Sequence, residues 1–262
     1  MSKDIRRCSD EIEKDFLKQF DVLRRNLNSW QAWEYMVSAI ACMVADIGDP
    51  NEARRAERKK EYEHSLEQLN GDRDTVARLF DIILEHFREY PEEDFLGKMY
   101  MTLDLGNHWS GQFFTPWNVS LMMAMMIMPD SLDGEIRRKG YASVTDPTCG
   151  AGVNLLAAAR VVKDRGTDYK DSILFVGQDL DRVVAQMCYI QLSLIDAAGY
   201  VCVANTLTNP ITGISDLIPC ERDGQDYWYT PAYWSDKWQK RVLEQTLVFL
   251  GSRIEKTDGQ SA

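Results

Sequence analysis

The clearest chemistry in the chain belongs to two aspartates and the glycines between them. Tyr141 to Asp146 reads as a strand, Ala151 to Lys163 as a helix, and VTDPTCGAG, residues 144–152, joins them. A glycine-rich turn at that place lets a ligand approach the backbone closely. The free N–H groups of a helix start favour negative charge. Asp146, at the strand end, can pair with a cationic group. Ile173 to Gln178 is the next apolar strand, and Asp179 closes it in the run VGQDLD. A carboxylate there accepts both hydroxyls of a ribose. Asp146, Thr148, Gly150, Gly152 and Asp179 therefore outline a site for a nucleoside cofactor. The bland alternative is a glycine-rich turn beside an incidental aspartate.

These residues need a parallel sheet to hold them. A helix is predicted over Asp181 to Ala197 and a third strand over Tyr200 to Ala204. Strands separated by helices imply parallel pairing through crossovers. Upstream, Thr115-Pro116 starts a helix rich in methionine (Met122, Met123, Met125, Met126, Met128), for which core packing is the expected use. The first hundred residues read as helices. Ile12, Phe16, Phe20, Leu23, Leu27, Trp30, Val37, Ile40, Val44 and Ile47 recur at three- and four-residue steps. Asn28 with Gln31 fits a capping box that breaks this stripe, and Asp49-Pro50 has the form of a helix start. The charged run that follows, with Arg54, Arg55, Arg58, Lys59 and Lys60, reads as a solvated helix or, alternatively, a DNA-facing or partner-facing one, ended by Asn70-Gly71. Val76, Leu79, Phe80, Ile83 and Phe87 mark another helix, stopped at Tyr90-Pro91. The expected division is a helical region over 1–105 and an α/β domain over 106–262.

Composition bounds the function. The net charge is −11, with 30 basic and 41 acidic residues, so the chain lacks the basic surplus that phosphate binding favours. Binding to DNA is expected to be weak without a protein partner to supply recognition. No apolar run reaches the roughly 18 residues that span a bilayer, and MSKDIRRCSDEIEKD has no apolar signal core. The expectation is a cytoplasmic protein. Six cysteines without a C-x-x-C pair and three isolated histidines predict neither a metal site nor disulfides.

DPTCGAG resembles the Asp-Pro-Ala-Cys-Gly-Ser-Gly motif of N-6 adenine-specific DNA methyltransferases, above all the modification subunit of type I restriction–modification systems. GQFFTP, residues 111–116, resembles that family's Gly-Gln-Phe-Tyr-Thr-Pro segment, which closes over the methionine end of the cofactor. EDFLGKMY at 93–100 resembles the segment before it, VGQDLD the ribose-binding motif, and ANTLTNP at 204–210 the family's Gly-Asp-Thr-Leu. The resemblance implies S-adenosylmethionine as cofactor. It also implies a Rossmann-like class I methyltransferase core after the helical region. Gln112, Phe113, Thr115, Asp146, Thr148, Gly150, Gly152, Asp179 and Asn205 would hold the cofactor. Methyl transfer to the amino group of adenine in DNA is the implied reaction.

Two departures qualify it. Asn205 stands where the family has an aspartate facing the cofactor adenine. The family's Asn-Pro-Pro-Phe or Asp-Pro-Pro-Tyr motif, which accepts hydrogen bonds from the target amino group and stacks on the flipped base, is absent. TPAY, residues 230–233, stands nearest in order, which makes Thr230, Pro231 and Tyr233 the candidate catalytic set. The 57 residues after Asn205 are fewer than the ~80 that the remaining strands and helices of a full sheet would take, so an incomplete core is expected. Tyr227, Trp228, Tyr229, Tyr233, Trp234 and Trp238 form an aromatic cluster, either a base-stacking platform or packing. Three functions compete. One is a DNA adenine methyltransferase that works with a partner. The second is a non-catalytic cofactor-binding module or decoy in a restriction–modification or mobile-element setting. The third is a methyltransferase for another acceptor.

Overall fold

The computed structural model describes residues 10–105 and 114–258, with side chains described up to residue 251 in the last helix. Gln112 and Phe113 lie outside the described residues.

The apolar stripe divides where its caps dictate. α1 (Glu11–Leu23) and α2 (Ser29–Gly48) meet at Asn28. The Asn28 side chain accepts from the Gln31 amide at 2.8 Å and donates to the Gln31 side chain at 2.7 Å. α3 (Glu52–Gln68) starts from Asn51, two residues later than Asp49-Pro50 suggests. Asp49 instead ends α2, where its carboxylate accepts from the Asn51 amide and pairs with Arg54 at 2.6 Å. Left-handed Asn70 and Gly71 separate α3 from α4 (Arg73–Glu89), and α5 (Phe95–Thr102) follows.

α6 (Trp117–Ile127) and α7 (Leu132–Lys139) lead into β1 (Ala142–Asp146). Then come α8 (Val153–Asp164), the single turn α9 (Tyr169–Ser172), β2 (Ile173–Asp179), α10 (Arg182–Leu194) and β3 (Gly199–Val203). A two-stranded piece, β4 (Gly213–Ser215) with β5 (Ile218–Pro219), precedes β6 (Asp226–Tyr229). A 3₁₀ turn over Pro231–Trp234 and α11 (Asp236–Asp258) complete the described chain.

The main sheet has the order β1-β2-β3-β6. β1, β2 and β3 are parallel, and β6 pairs antiparallel with β3. Alternation along the strands divides the core in two. Ile173, Phe175 and Val201 belong to a core shared with α8, α10 and the helical region, where the Trp33 indole donates to the Met187 sulfur at 3.4 Å. Leu174, Val176, Tyr200 and Cys202 face the other way, onto Tyr227, Tyr229, Tyr233 and Trp238. The aromatic cluster is thus largely packing, and its strand pairing is something periodicity did not reveal.

Two expectations reverse. The methionines of α6 are mostly outside the core: Met122, Met125 and Met126 are 55%, 53% and 77% exposed, and only Met128, just past the helix, is buried. The helix buries Ser120 and Ala124 against α8, too narrow a stripe to hide the rest. In α3, Arg58 is buried rather than solvated. It stacks 3.5 Å from the Trp228 ring centroid and pairs with Asp226 and Glu61. Burial works to raise the Asp226 carboxyl, but the Arg58 and Arg182 guanidiniums outweigh it and hold it below the ordinary range. This clamp fixes α3 to the antiparallel edge of the sheet.

Candidate functional site

The candidate cofactor residues gather where β1 and β2 end. Asp146 terminates β1, and its two carboxylate oxygens accept from the Thr148 amide and from the Asn154 side chain, each at 3.0 Å. The turn that follows places Gly150 and Gly152 at φ 51° and 96°. A Cβ at Gly152 would stand 2.7 Å from the Cys188 sulfur, so this position admits only glycine on both counts. The Cys149 amide donates to the Gln178 carbonyl at 3.0 Å, which anchors the turn to β2. Cys149 itself is buried; the adjacent Cys188 thiol and burial both push its thiol up, which makes it a structural residue rather than a nucleophile.

Asp179 joins this turn from β2. One carboxylate oxygen accepts from the Gly150 amide at 2.9 Å and the other from the Asp181 amide at 2.9 Å. Burial raises its carboxyl, against those two backbone donors. Incoming hydroxyl or ammonium donors would therefore meet a carboxylate that is incompletely compensated. Asn205 lies one strand over, beyond β3, where the Ala204 amide donates to the Asp179 carbonyl at 2.9 Å. The Asn205 carbonyl oxygen is committed to a turn, since it accepts from Leu207 and Thr208 amides at 2.9 and 3.2 Å. Thr115 is half-buried, and the ring of its neighbour Phe114 covers Gly150, within 3.3 Å of where a Cβ would stand. The segment before α6 therefore reaches the glycine turn.

Two glutamines that the sequence reading passed over hold this arrangement. Gln178 donates to the carbonyls of Ala204 and Asn209 and accepts from the Ile211 amide, fastening the loop after β3. Gln191 donates to Asp94 and to the Ala151 carbonyl, both at 2.8 Å, and accepts from the Leu96 amide at 2.9 Å. It ties α5 to the glycine turn. A glutamine within an apolar helix at a strand-facing position was the available signal.

Thr230, Pro231 and Tyr233 are not brought to this end of the sheet. β6 runs antiparallel to β3, with Tyr229 opposite Tyr200, so Thr230 stands beside Gly199. Asp179 is opposite Val203, four residues along β3, or about 13 Å away at the usual strand rise. Thr230 is fully buried; its hydroxyl donates to the Ala197 carbonyl at 2.8 Å and accepts from the Gly199 amide at 3.0 Å. The Tyr233 hydroxyl donates to the Leu217 carbonyl at 2.8 Å. Pro231 abuts the end of α2, 3.0 Å from where a Gly48 Cβ would stand. The hydroxyls of Thr230 and Tyr233 are thus buried and turned into the packing around Ala197 and Leu217, away from Asp146.

A nucleoside-binding turn on a parallel α/β sheet is common to many enzymes, so the family must come from the whole pattern. The family model for N-6 DNA methylases matches residues 92–259. The chain belongs to the N-6 DNA methylase family. The matched stretch begins just ahead of α5 and includes the glycine turn, β2 and β6. β1 to β3, parallel and joined through helices, form the α/β part of the matched stretch. A solved structure from Listeria monocytogenes, assigned to the class I S-adenosylmethionine-dependent methyltransferases, is similar at 16% identity over 90% of this chain and 69% of that one, with a TM-score of 0.43. No curated protein matches the chain. Among the described residues no helix is long and apolar enough to cross a membrane, and no cluster of potential ligands could hold a metal ion.

Proposed function

We propose that this methylase-family chain is the cofactor-holding part of a DNA adenine methyltransferase and depends on a partner protein for methyl transfer. The observation that carries this reading is the position of Asp146, Gly150 and Asp179 around one turn, with Thr230 to Tyr233 at the opposite end of β3. Asp146 suits the amino group of the methionine part of S-adenosylmethionine. Asp179 suits the ribose hydroxyls, because each oxygen keeps lone pairs beyond its one backbone donor. Thr148, Gly150 and Gly152 leave room for the cofactor, and Phe114 with Thr115 would cover its methionine end, next to Gln112 and Phe113 in sequence. Asn205 offers its amide N–H to the adenine ring in place of a carboxylate. The cofactor supplies an activated methyl group on a sulfonium; these residues bind and orient it.

Transfer to adenine needs an acceptor for the amino protons and a ring against the extruded base. Thr230 to Tyr233, the segment nearest in order to the family's catalytic motif, supply neither near Asp146, because they stand at the far end of β3. Losing one well-placed transition-state hydrogen bond costs on the order of 3 kcal/mol, a hundredfold or more in rate. The net charge of −11 also points to DNA contacts made by another chain.

Calorimetry with S-adenosylmethionine or S-adenosylhomocysteine tests the first half, and radiolabelled methyl transfer to mixed genomic DNA the second. The expected result is heat without transfer. An absence of heat at millimolar cofactor overturns the site. Robust transfer by the chain alone overturns the need for a partner.

A further inference from the structure

β1 is the outer strand of the main sheet among the described residues. Its ladder runs only to β2, and no backbone or side-chain group of the described residues bonds to its outward row of amides and carbonyls. Proteins protect such edges with prolines, lysines or bulges. β1 has none of these: Ala142-Ser143-Val144-Thr145 is uncharged, and its register with β2 is unbroken.

Beside this edge lies a groove of about 370 Å³. α6, α7, β1 and α8 form its walls, with Ala124, Met128, Leu132, Leu155 and Ala158 as its apolar lining. Two polar atoms in that lining are buried without any hydrogen-bond partner, Ser120 Oγ and Asn154 Oδ1. Such atoms usually have a partner, so these mark a place where one is missing. At the rim, Met123 is 41% and Ile127 75% exposed. Parallel sheets are ordinarily covered on both faces and flanked by further strands or helices, so a strand edge that is open and uncharged up to Asp146 beside an apolar groove is unusual.

We infer that this edge receives an extended β-strand from a second, basic polypeptide, which pairs with β1 and lays alternate apolar side chains into the groove. The inference rests on the proposed division of labour and names the surface through which the partner joins. Backbone pairing supplies affinity and the groove selects alternate side chains, the usual logic of strand addition. Charge decides against a second copy of this chain. Two molecules of net charge −11 repel, and Glu135 and Asp146 line the groove. A basic strand is attracted to both and would bring the positive surface that DNA requires. Pairing here places the incoming strand's end beside Asp146, at the end of the sheet that Thr230 and Tyr233 do not reach.

The test uses hydrogen exchange on the full chain with a short synthetic peptide of alternating valine and lysine. The outward-facing amides of residues 142–146, those that β2 does not hold, should exchange freely in the chain alone and slow about tenfold or more with millimolar peptide. The same peptide N-methylated at alternate positions should give no slowing. Met123→Lys, on the exposed groove rim, should abolish the protection, and Met126→Lys, outside the groove, should leave it intact. Outward-facing amides already protected in the chain alone, or no slowing of them with peptide, overturn the inference. So do equal protection by the N-methylated peptide and sedimentation that shows self-association through this edge. Cofactor heat is measured separately, so failure at the edge and failure at the cofactor site are distinguishable.

Discussion

The two ends of β3 treat their polar groups in opposite ways. At the carboxyl end, Asp146 and Asp179 each spend one bond per oxygen on the turn and keep the rest facing outward. At the amino end, the Thr230 and Tyr233 hydroxyls are buried and turned to carbonyls and an amide of their own neighbourhood. Both segments look equally suited to chemistry when reduced to residue types. What separates them is whether a polar group has capacity left after the fold has been built. Spare capacity at a strand's carboxyl end is the property of a site, and full use inside a core is the property of packing.

The largest effect should come from the packed end. Tyr233→Ala removes a buried ring that touches Tyr200, Tyr229 and Trp234. The expected loss is about 3 to 5 kcal/mol of unfolding free energy, the range for large aromatic truncations. Urea denaturation reads it directly. Cofactor affinity of the folded protein should not change. A variant that stays stable but loses cofactor binding would break the comparison, because it would place Tyr233 at the site.

His86 sharpens the comparison from a third place. It is a buried polar group that is not consumed: neither ring nitrogen has a partner, and the ring lies 4.4 Å from that of Phe95. Burial lowers its pKa from 6.5 to about 4. As pH falls through 6.5 the unfolded chain takes up a proton and the folded chain does not. Stability therefore falls with pH down to about 4, at up to 1.4 kcal/mol per unit. His86→Phe should flatten that part of a plot of unfolding free energy against pH. An unchanged slope would mean that the imidazole gains a proton partner in the folded state.

How much of this was legible in the sequence follows from the same distinction. The glycine turn and the three parallel strands were readable, because each shows in a local run of residue types, the glycines of VTDPTCGAG or an apolar stretch between two helices. β6 was not, since Asp226–Tyr229 becomes a strand only by pairing with Gly199–Val203. Thr230 and Tyr233 inherited a catalytic reading from their order in the chain, and order does not say at which end of a sheet an antiparallel strand delivers its last residue. The methionines of α6 and the cation of Arg58 were misjudged for a related reason. Periodicity tells which residues share a face, not whether another element arrives to cover it. Arg58 is covered because Asp226, 168 residues away, and Trp228, two residues beyond it, come to it.

Asp179→Ala tests the open end. The substitution removes the acceptor proposed for the ribose hydroxyls, and calorimetry should show S-adenosylmethionine binding weakened by about 1.5 to 3 kcal/mol. Because burial already raises the Asp179 carboxyl, stability at neutral pH should change far less than for Tyr233→Ala. Loss of stability without loss of affinity would assign Asp179 to the packed class.

The smallest effect should be a gain. The Asn205 carbonyl oxygen already holds the amides of Leu207 and Thr208, so only its N–H side remains for a ligand. In Asn205→Asp one oxygen can keep that turn while the second faces outward as an acceptor. The adenine of S-adenosylmethionine carries an exocyclic amino group, a donor with nothing to meet at the native residue. One added hydrogen bond is worth about 0.5 to 1.5 kcal/mol, or roughly a twofold to tenfold gain in affinity. The sign matters more than the size. A third carboxylate near Asp146 and Asp179 adds repulsion between like charges, which a cationic cofactor offsets and S-adenosylhomocysteine, lacking the sulfonium, offsets less. Binding of S-adenosylmethionine should therefore tighten more than binding of S-adenosylhomocysteine. Equal weakening of both would show that the Asn205 turn cannot spare an oxygen, and would place this third strand end with the packed segment.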